Sequence, residues 1–374
     1  MNRLGELAAL FLRLGVTAFG GPAAHVSMME NEVVRRRRWM SAERFLDLFG
    51  AANLIPGPSS SELAIYIGYE RAGVQGLLVA GICFIFPASV LTGFLAWAYV
   101  RFGTLPAAGG LLYGIKPVVI AIVAQAIVAL APKAVKTRAL GAIGVGATAA
   151  CAAGLDPILV LLGAGCVAAA SSRWNARRAG KDATLRAALL GPVLGAGAAV
   201  PLTLFGVFGF FLKMGVVVFG SGYALLAFLR ADLVDRWHWL TESQLLDAVA
   251  VGQVTPGPVF TTATFIGYLL AGWLGAVLAT IGIFLPGFVL VAVSRPLLAR
   301  ARKSATAGAF LDGVNVGSLG LMAIVSFQLG RAALVDGVTV AIAAASALLL
   351  HRRKVNSAWL IFGGAAVGMA SRLR

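Results

Sequence analysis

The chain has 374 residues, 59% of them hydrophobic and only 12% charged, and its mean hydropathy is +0.89. Soluble domains carry roughly 45–50% apolar and about 25% charged residues, so this composition excludes a soluble globular protein. The net charge of +16 comes from 31 basic and 15 acidic residues clustered between apolar runs. That pattern describes cytoplasmic loops obeying the positive-inside rule, and not a nucleic-acid surface.

The N-terminal stretch lacks a short apolar core ending in a small-residue cleavage site, so it is expected to be a retained first helix over about 5–27. A loop at 28–44 follows, with Arg35, Arg36, Arg37, Arg38 and Arg44. Residues 44–55 and 59–70 are two short, partly polar helical stretches split by Pro56-Gly57-Pro58. Each is too short to cross a bilayer, and proline ends one helix while suiting the first turn of the next. The expected element is a broken or re-entrant helix, which membrane depth tolerates only where protein or a water-filled cavity surrounds it. Expected spans at about 74–100, 111–130, 139–153 and 157–172 complete this half, and the apolar run from Gly76 to Val100 is long enough to cross hydrocarbon. Cys83, Cys151 and Cys166 lie in small-residue apolar stretches at no metal-ligand spacing and are packing residues.

After a basic linker with Arg173, Arg177, Arg178, Lys181 and Arg186, the same unit returns. Pro256-Gly257-Pro258 stands 200 positions after its first copy, and Arg13, Trp39 and Asp47 fall on Lys213, Trp239 and Asp247. The matching stretches are 205–227, 243–254 with 259–271, 273–294, 309–329, 332–350 and 355–371. This gives an N-terminal repeat at 1–172, a cytoplasmic linker and lead-in at 173–200, and a C-terminal repeat at 201–374. Matching loops carry opposite charge bias: Arg35 to Arg38 face a counterpart with only Arg230 and Arg236, whereas Arg101 faces Arg295, Arg300, Arg302 and Lys303. An odd number of spans per half produces such alternation. The expected fold is an all-α polytopic membrane protein of two inverted-topology repeats, each with about five spanning helices plus a broken pair at Pro-Gly-Pro.

Candidate binding groups cluster at the breaks. Ser59, Ser60 and Ser61 follow the first; Thr255, Thr261 and Thr262 flank the second. A half-helix N-terminus with unpaired N–H groups and neighbouring hydroxyls suits an anion. The alternative is a proline kink whose hydroxyls bond back to the preceding turn. Gly20-Gly21-Pro22 with His25, and Gly220-Ser221-Gly222, allow local unwinding or close helix packing. Arg13 and Lys213 are cations within apolar helices, facing either a solute, a partner or a nearby interface. Asp47 and Asp247 either neutralise them or sit at the mouth of the broken pair. Glu62, whose second-half counterpart is Thr262, is the candidate coupling carboxylate, and Lys116 faces only Asn315. No metal set and no phosphate-cradling Gly-x-x-x-x-Gly-Lys loop is present, so no metal, cofactor or ATP drive is expected.

The segments Phe19-Gly20-Gly21-Pro22 with His25, Met28 and Met29, and Asn53 through Pro58, resemble the bacterial chromate ion transporter family. Phe219 through Ala224 and Gln253 through Pro258 resemble that family's C-terminal domain, although Ser221 replaces one glycine of its usual Phe-Gly-Gly-Gly. The resemblance covers the whole chain and corresponds to the long two-domain form. It implies a secondary carrier of the bacterial inner membrane that exports chromate and confers resistance, with sulfate as structural analogue and competitor. It implies no enzyme and no partner beyond the anion and the lipid bilayer, while a homo-oligomer is compatible with it. A carrier of another anion, a passive anion channel and an intramembrane enzyme using Glu62, His25 and Ser60 are the competing readings.

Overall fold

The computed structural model describes residues 2–19, 21–103, 106–178, 202–218, 224–301, 305–353, 355 and 357–372. The described residues form fourteen α-helices and no strand. Four of them, α4 (Ser59–Phe102), α5 (Pro106–Ala134), α11 (Thr262–Ala301) and α12 (Ala305–Ala333), contain stretches long and apolar enough to cross a membrane. The protein is an all-α, multi-pass membrane protein.

The first helix departs from the sequence expectation. Residues 5–27 are not one span: α1 (Arg3–Thr17) stops, and α2 (Gly21–Glu30) begins with Gly21 at φ 77°. Arg13 and Glu32 form a salt bridge. A continuous helix would hold residues nineteen apart at about 28 Å, so the chain doubles back at 18–21. The glycine that adopts a left-handed φ, and the proline that fits the first turn of α2, permit the reversal. The second half breaks likewise, correcting the expected span at 205–227. There α8 (Leu204–Val217) and α9 (Leu225–Leu229) are joined by 219–223, outside the described residues, and Lys213 pairs with Asp232 at 3.0 Å.

A second hairpin follows in each half. Ser41 caps α3 (Ala42–Ala52) by accepting the Arg44 N–H, and Thr241 caps α10 (Glu242–Val254) in a reciprocal bond pair with Gln244. Arg44 at the start of α3 bridges Glu70 at 2.9 Å, so the first segment of α4 runs back alongside α3. At Ala72 and Gly73 helical geometry fails (Gly73 φ 60°, ψ −147°), and α4 then reverses to make its long crossing. Ala271 and Gly272 reproduce this in α11 within a few degrees. Ala271 stands 199 positions after Ala72, whereas Pro258 stands 200 after Pro58, so the second copy is one residue shorter between them. Four α-helical residues, 59–62, are replaced by a 3₁₀ turn at Val259–Thr261, and three residues at about 2.0 Å rise match four at about 1.5 Å.

The halves interlock. Helices α4 and α11 pack antiparallel, Gly81 lying against Phe288 and Gly93 against Trp273. Helices α5 and α12 are antiparallel too, joined by Tyr113–Asp336 at one end and Lys136–Asp312 at the other. The terminal hairpins are exchanged. In the first half α6 (Arg138–Ala152) and α7 (Pro157–Arg178) pack on α12, while α13 (Gly337–Arg353) and α14 (Ser357–Arg372) pack on α5. Gly110 and Gly114 meet Gly364 and Gly368 so closely that backbones touch, and Gly313 and Gly317 meet Ala164 and Ala168. These are small-xxx-small contacts, which bind helices where lipid removes the hydrophobic incentive.

A Cβ on Gly114 would stand 1.9 Å from the Gly364 carbonyl oxygen. Gly114→Ala should therefore force α14 off α5 and cost about 1–3 kcal/mol. Gly146, also helical, has open space around it, and Gly146→Ala should be neutral or stabilising by up to about 1 kcal/mol. Thermal unfolding of the two variants in detergent checks the ordering; equal Tm values would remove the close α5–α14 contact as a determinant of stability.

Candidate functional site

Within Pro56-Gly57-Pro58 only the glycine carries an N–H, since proline has none. That donor crosses to the other half: Gly57 N–H bonds the Val218 carbonyl at 2.7 Å. Gly257 N–H reciprocates with the Ala18 carbonyl at 3.0 Å. Each Pro-Gly-Pro tip is thus fastened to the end of the other half's first helix. Both glycines have positive φ, 126° and 87°, which lets the tips turn without Cβ strain. The two Pro-Gly-Pro tips consequently lie between the halves, against the ends of α1 and α8 at Ala18 and Val218.

The polar groups around this junction are unequally distributed. On α2, His25 is buried and its Nε2 donates to the same Ala18 carbonyl at 2.9 Å. This fixes the tautomer and leaves Nδ1 to accept the Ser60 hydroxyl at 3.3 Å. The candidates Ser60 and His25 are thus in contact, and His25 lies edge-on to Phe84 at 5.6 Å. Ser59 and Ser61 are also buried, and the Ser61 hydroxyl has no protein partner. Glu62, fully buried, has no partner at either carboxylate oxygen. Its Oε1 folds over Gly57, where a Cβ would lie 2.1 Å away, and faces Gly287 of α11, where one would lie 3.8 Å away.

Around the other tip, Gly257 rests on the Ala88 methyl group. Ser89 follows Ala88, and Thr92 lies one turn on; both hydroxyls are unpartnered, as is Gln253 Nε2 at the end of α10. The second-half threonines behave differently. Thr255 bonds Gly252 O, Thr261 bonds Pro258 O and Thr262 bonds Val259 O. They adopt the back-bonded alternative, so Pro256-Gly257-Pro258 presents a closed tip and Pro56-Gly57-Pro58 an open one. Buried polar atoms are normally paired, and a concentration of unpaired ones marks a place where a polar solute gains bonds.

The charged candidates lie elsewhere. Arg13 is half-exposed and bound to Glu32, together with Arg36 and Arg37. Burial pushes the Glu32 carboxyl up, but hydrogen bonds from Arg36, Arg13 and Arg37 overcome this and hold it below the usual carboxylate range. Lys213 is bound to Asp232, with Arg236 on the same carboxylate at 3.1 Å. Neither cation is neutralised by Asp47 or Asp247. Asp247 instead pairs with Lys116 at 3.0 Å and accepts the Tyr99 hydroxyl at 2.9 Å, and all three line a cleft of about 360 Å³. Asp47 sits on α3 one turn from Arg44. Gly20, Gly220, Ser221 and Gly222 lie outside the described residues.

Sequence reasoning missed Glu32 and Asp232, although both recur at the same offset as Arg13 and Lys213, as do Arg36 and Arg236. Gln253 repeats the carboxamide of Asn53 at that offset, whereas Thr92 carried no such signal. Among the described residues no group of three or more His, Cys, Asp or Glu side chains is gathered to hold a metal. The junction can offer hydroxyls, a carboxamide, helix-terminal N–H groups and one carboxyl to a small polar solute.

The comparisons with known proteins agree on one family. A family model for chromate transporters matches residues 5–169 and again 205–369. The chain is 34% identical to a chromate transport protein of Cupriavidus metallidurans, over 98% of this chain and 93% of that one. It is 33% identical to a probable chromate transport protein of Synechococcus elongatus, covering 89% and 86% of the two chains. A chromate transport protein of Pseudomonas aeruginosa is 30% identical over 97% and 91%. No solved structure matches the chain. With its family model matched twice, once in each half of a duplicated helical fold, the chain belongs to the chromate transporter family.

Proposed function

We propose that this protein is a secondary carrier of the bacterial inner membrane that exports chromate from the cytoplasm, by alternating access around the junction of the two Pro-Gly-Pro tips. The observation that carries the reading is the set of unpartnered polar atoms buried on Ser61, Glu62, Ser89, Thr92 and Gln253, beside two tips that each half closes for the other. The family's named relatives supply the substrate class. Antiparallel packing of α4 on α11 and of α5 on α12 supports inverted repeats, since corresponding helices run in opposite directions. Repeats related in this way can rock about a fixed central site.

A tetrahedral dianion offers four acceptor oxygens, which suits hydroxyls and the N-terminus of α4. Moving it outward across an inside-negative membrane is favourable by about 2.3 kcal/mol per charge per 100 mV, about 4.6 kcal/mol in all. Glu62 then acts as the coupling group. An ionised Glu62 and the dianion repel each other in a poorly solvated site, so the anion is bound with a proton on Glu62. The net charge moved falls to one, and the potential still drives export by about 2.3 kcal/mol per 100 mV.

Labelled chromate should accumulate saturably in inside-out vesicles bearing the wild-type chain, with sulfate competing. Linear, non-saturating flux would indicate a channel, and preferential sulfate uptake a sulfate carrier. Ser61→Ala and Thr92→Ala should each raise the half-saturating concentration several-fold, by about 1 kcal/mol per lost hydrogen bond; wild-type kinetics in both would remove the junction as the binding site.

Above the pH at which chromate itself is fully deprotonated, the half-saturating concentration should rise with pH in the wild type, because deprotonation of Glu62 opposes the dianion, and stay flat in Glu62→Gln. Parallel pH profiles for the two proteins would eliminate Glu62 as the coupling group.

A further inference from the structure

The two hairpin bases have the same architecture and opposite electrostatics. In each half a π-helical turn, Asn31–Arg36 or Arg230–Arg236, precedes the second hairpin. Its widened winding bonds Arg37 N–H to Glu32 O, and Trp237 N–H to Asp232 O, across five residues. The residues four and five beyond the acid are thereby drawn over it, a geometry that an α-helix gives to one of them only. In the first half those residues are Arg36 and Arg37, and Arg13 joins them from α1. In the second half they are Arg236 and Trp237, with Lys213 from α8. Trp237 packs against Trp239 and Phe210 and brings no charge.

Counter-charges widen the difference. Arg236 also bridges Asp156 at 3.0 Å, and Arg230 bridges both Asp235 and Glu242. In the first half three guanidiniums share one carboxylate, leaving two positive charges in excess within one cluster. Arg35 is paired with Glu30, and Arg38 adds a further cation at φ 51°. Glu32 is 5% exposed, whereas the side chains of Arg13, Arg36 and Arg37 are 50%, 60% and 33% exposed. The buried carboxylate holds the three cations together, while Arg13 and Arg36 keep half or more of their side chains exposed. Positive-inside topology needs basic loops; it does not need three guanidiniums drawn onto one acid at a cost in mutual repulsion.

We infer that Arg13, Arg36 and Arg37 form a collecting site for free tetrahedral dianions at the arginine-rich face, from which the anion passes along α1 to the tip junction. The site is distinct from the junction, and its ligand identity rests on the chromate reading above. Guanidinium forks match the paired oxygens of a tetrahedral oxyanion, and a concentrated field of one sign raises the local concentration of its counter-ion. Arg13 lies five residues before Ala18, about 8 Å along the helix axis from the tip. The cluster is near enough to feed the centre and too far to hold an anion there.

The test is the double variant Arg36→Gln with Arg37→Trp. Trp stands at the matched position of the second half, so the π turn accommodates it. Purified protein is reconstituted in phosphatidylcholine vesicles with and without phosphatidylglycerol, and chromate uptake is read from the arginine-rich face. The expected result is a half-saturating concentration raised about tenfold, an unchanged maximal rate and a flattened dependence on ionic strength, in both lipids. Wild-type kinetics in the variant would overturn the inference, as would an effect confined to phosphatidylglycerol vesicles, which would assign the cluster to lipid headgroups. Equilibrium binding of labelled chromate to the detergent-solubilised proteins separates this from the carrier reading. Weaker binding in the variant supports the collecting site even where wild-type uptake fails, and equal binding overturns it.

Discussion

The exchange of two amide hydrogen bonds between the halves governs the rest of the molecule. A Pro-Gly-Pro tip has one N–H, and among apolar helices that donor must be paired or cost several kcal/mol. Neither half contains the acceptor for its own tip: Gly57 uses Val218, and Gly257 uses Ala18. An isolated half would carry an open tip, an α4 or α11 without its antiparallel partner, and a terminal hairpin without the helix it packs on. Duplication here produces two incomplete copies that complete each other. That dependence also locates the junction, since the tips can be satisfied only where both halves are present.

Mutual closure does not make the two tips alike. The first begins α4 with Ser59-Ser60-Ser61-Glu62, four residues in α-helical winding; the second begins with three residues in a 3₁₀ turn and loses the carboxylate. Its threonines bond their own backbone, so its polar capacity is spent locally. The first tip has its histidine engaged with Ser60 and Ala18 while Ser61 and Glu62 stay unpaired. One deleted residue therefore separates a structural tip from a chemically open one, and the proposed site is one-sided within a pseudo-symmetric frame.

Much of this was legible in the sequence, because backbone breaks are written in proline and glycine. The Pro-Gly-Pro hairpins and the reversals after residues 71 and 270 coincide with local composition, and the repeat made each visible twice. The reversal at 18–21 is hidden in the sequence, since Phe19-Gly20-Gly21-Pro22 sits in a run apolar enough to pass for a single span. The Arg13–Glu32 and Lys213–Asp232 pairs that reveal it were available as matched charges nineteen residues apart, a spacing that implies contact only once the chain is known to double back. The exchange of terminal hairpins had no sequence signature beyond small residues at four-residue spacing, which 46 glycines make common throughout. Thr92 was invisible for another reason: a single polar residue in an apolar helix does not announce which neighbour it faces.

The placement of the cations bears on how such a carrier can work. Neither Pro-Gly-Pro tip contains a lysine or arginine, and Arg13 and Lys213 are held by acids at the hairpin bases. A guanidinium at the junction would bind a dianion tightly in a medium of low polarity, and release would then limit turnover. Hydroxyls, a carboxamide and helix-terminal N–H groups bind more weakly and carry no charge that must be abandoned when the anion leaves. Long-range attraction belongs at the mouth, where water screens it and the anion is free to move on. On the proposed reading, separating the charge that gathers the substrate from the neutral groups that hold it lets one fold combine capture with release.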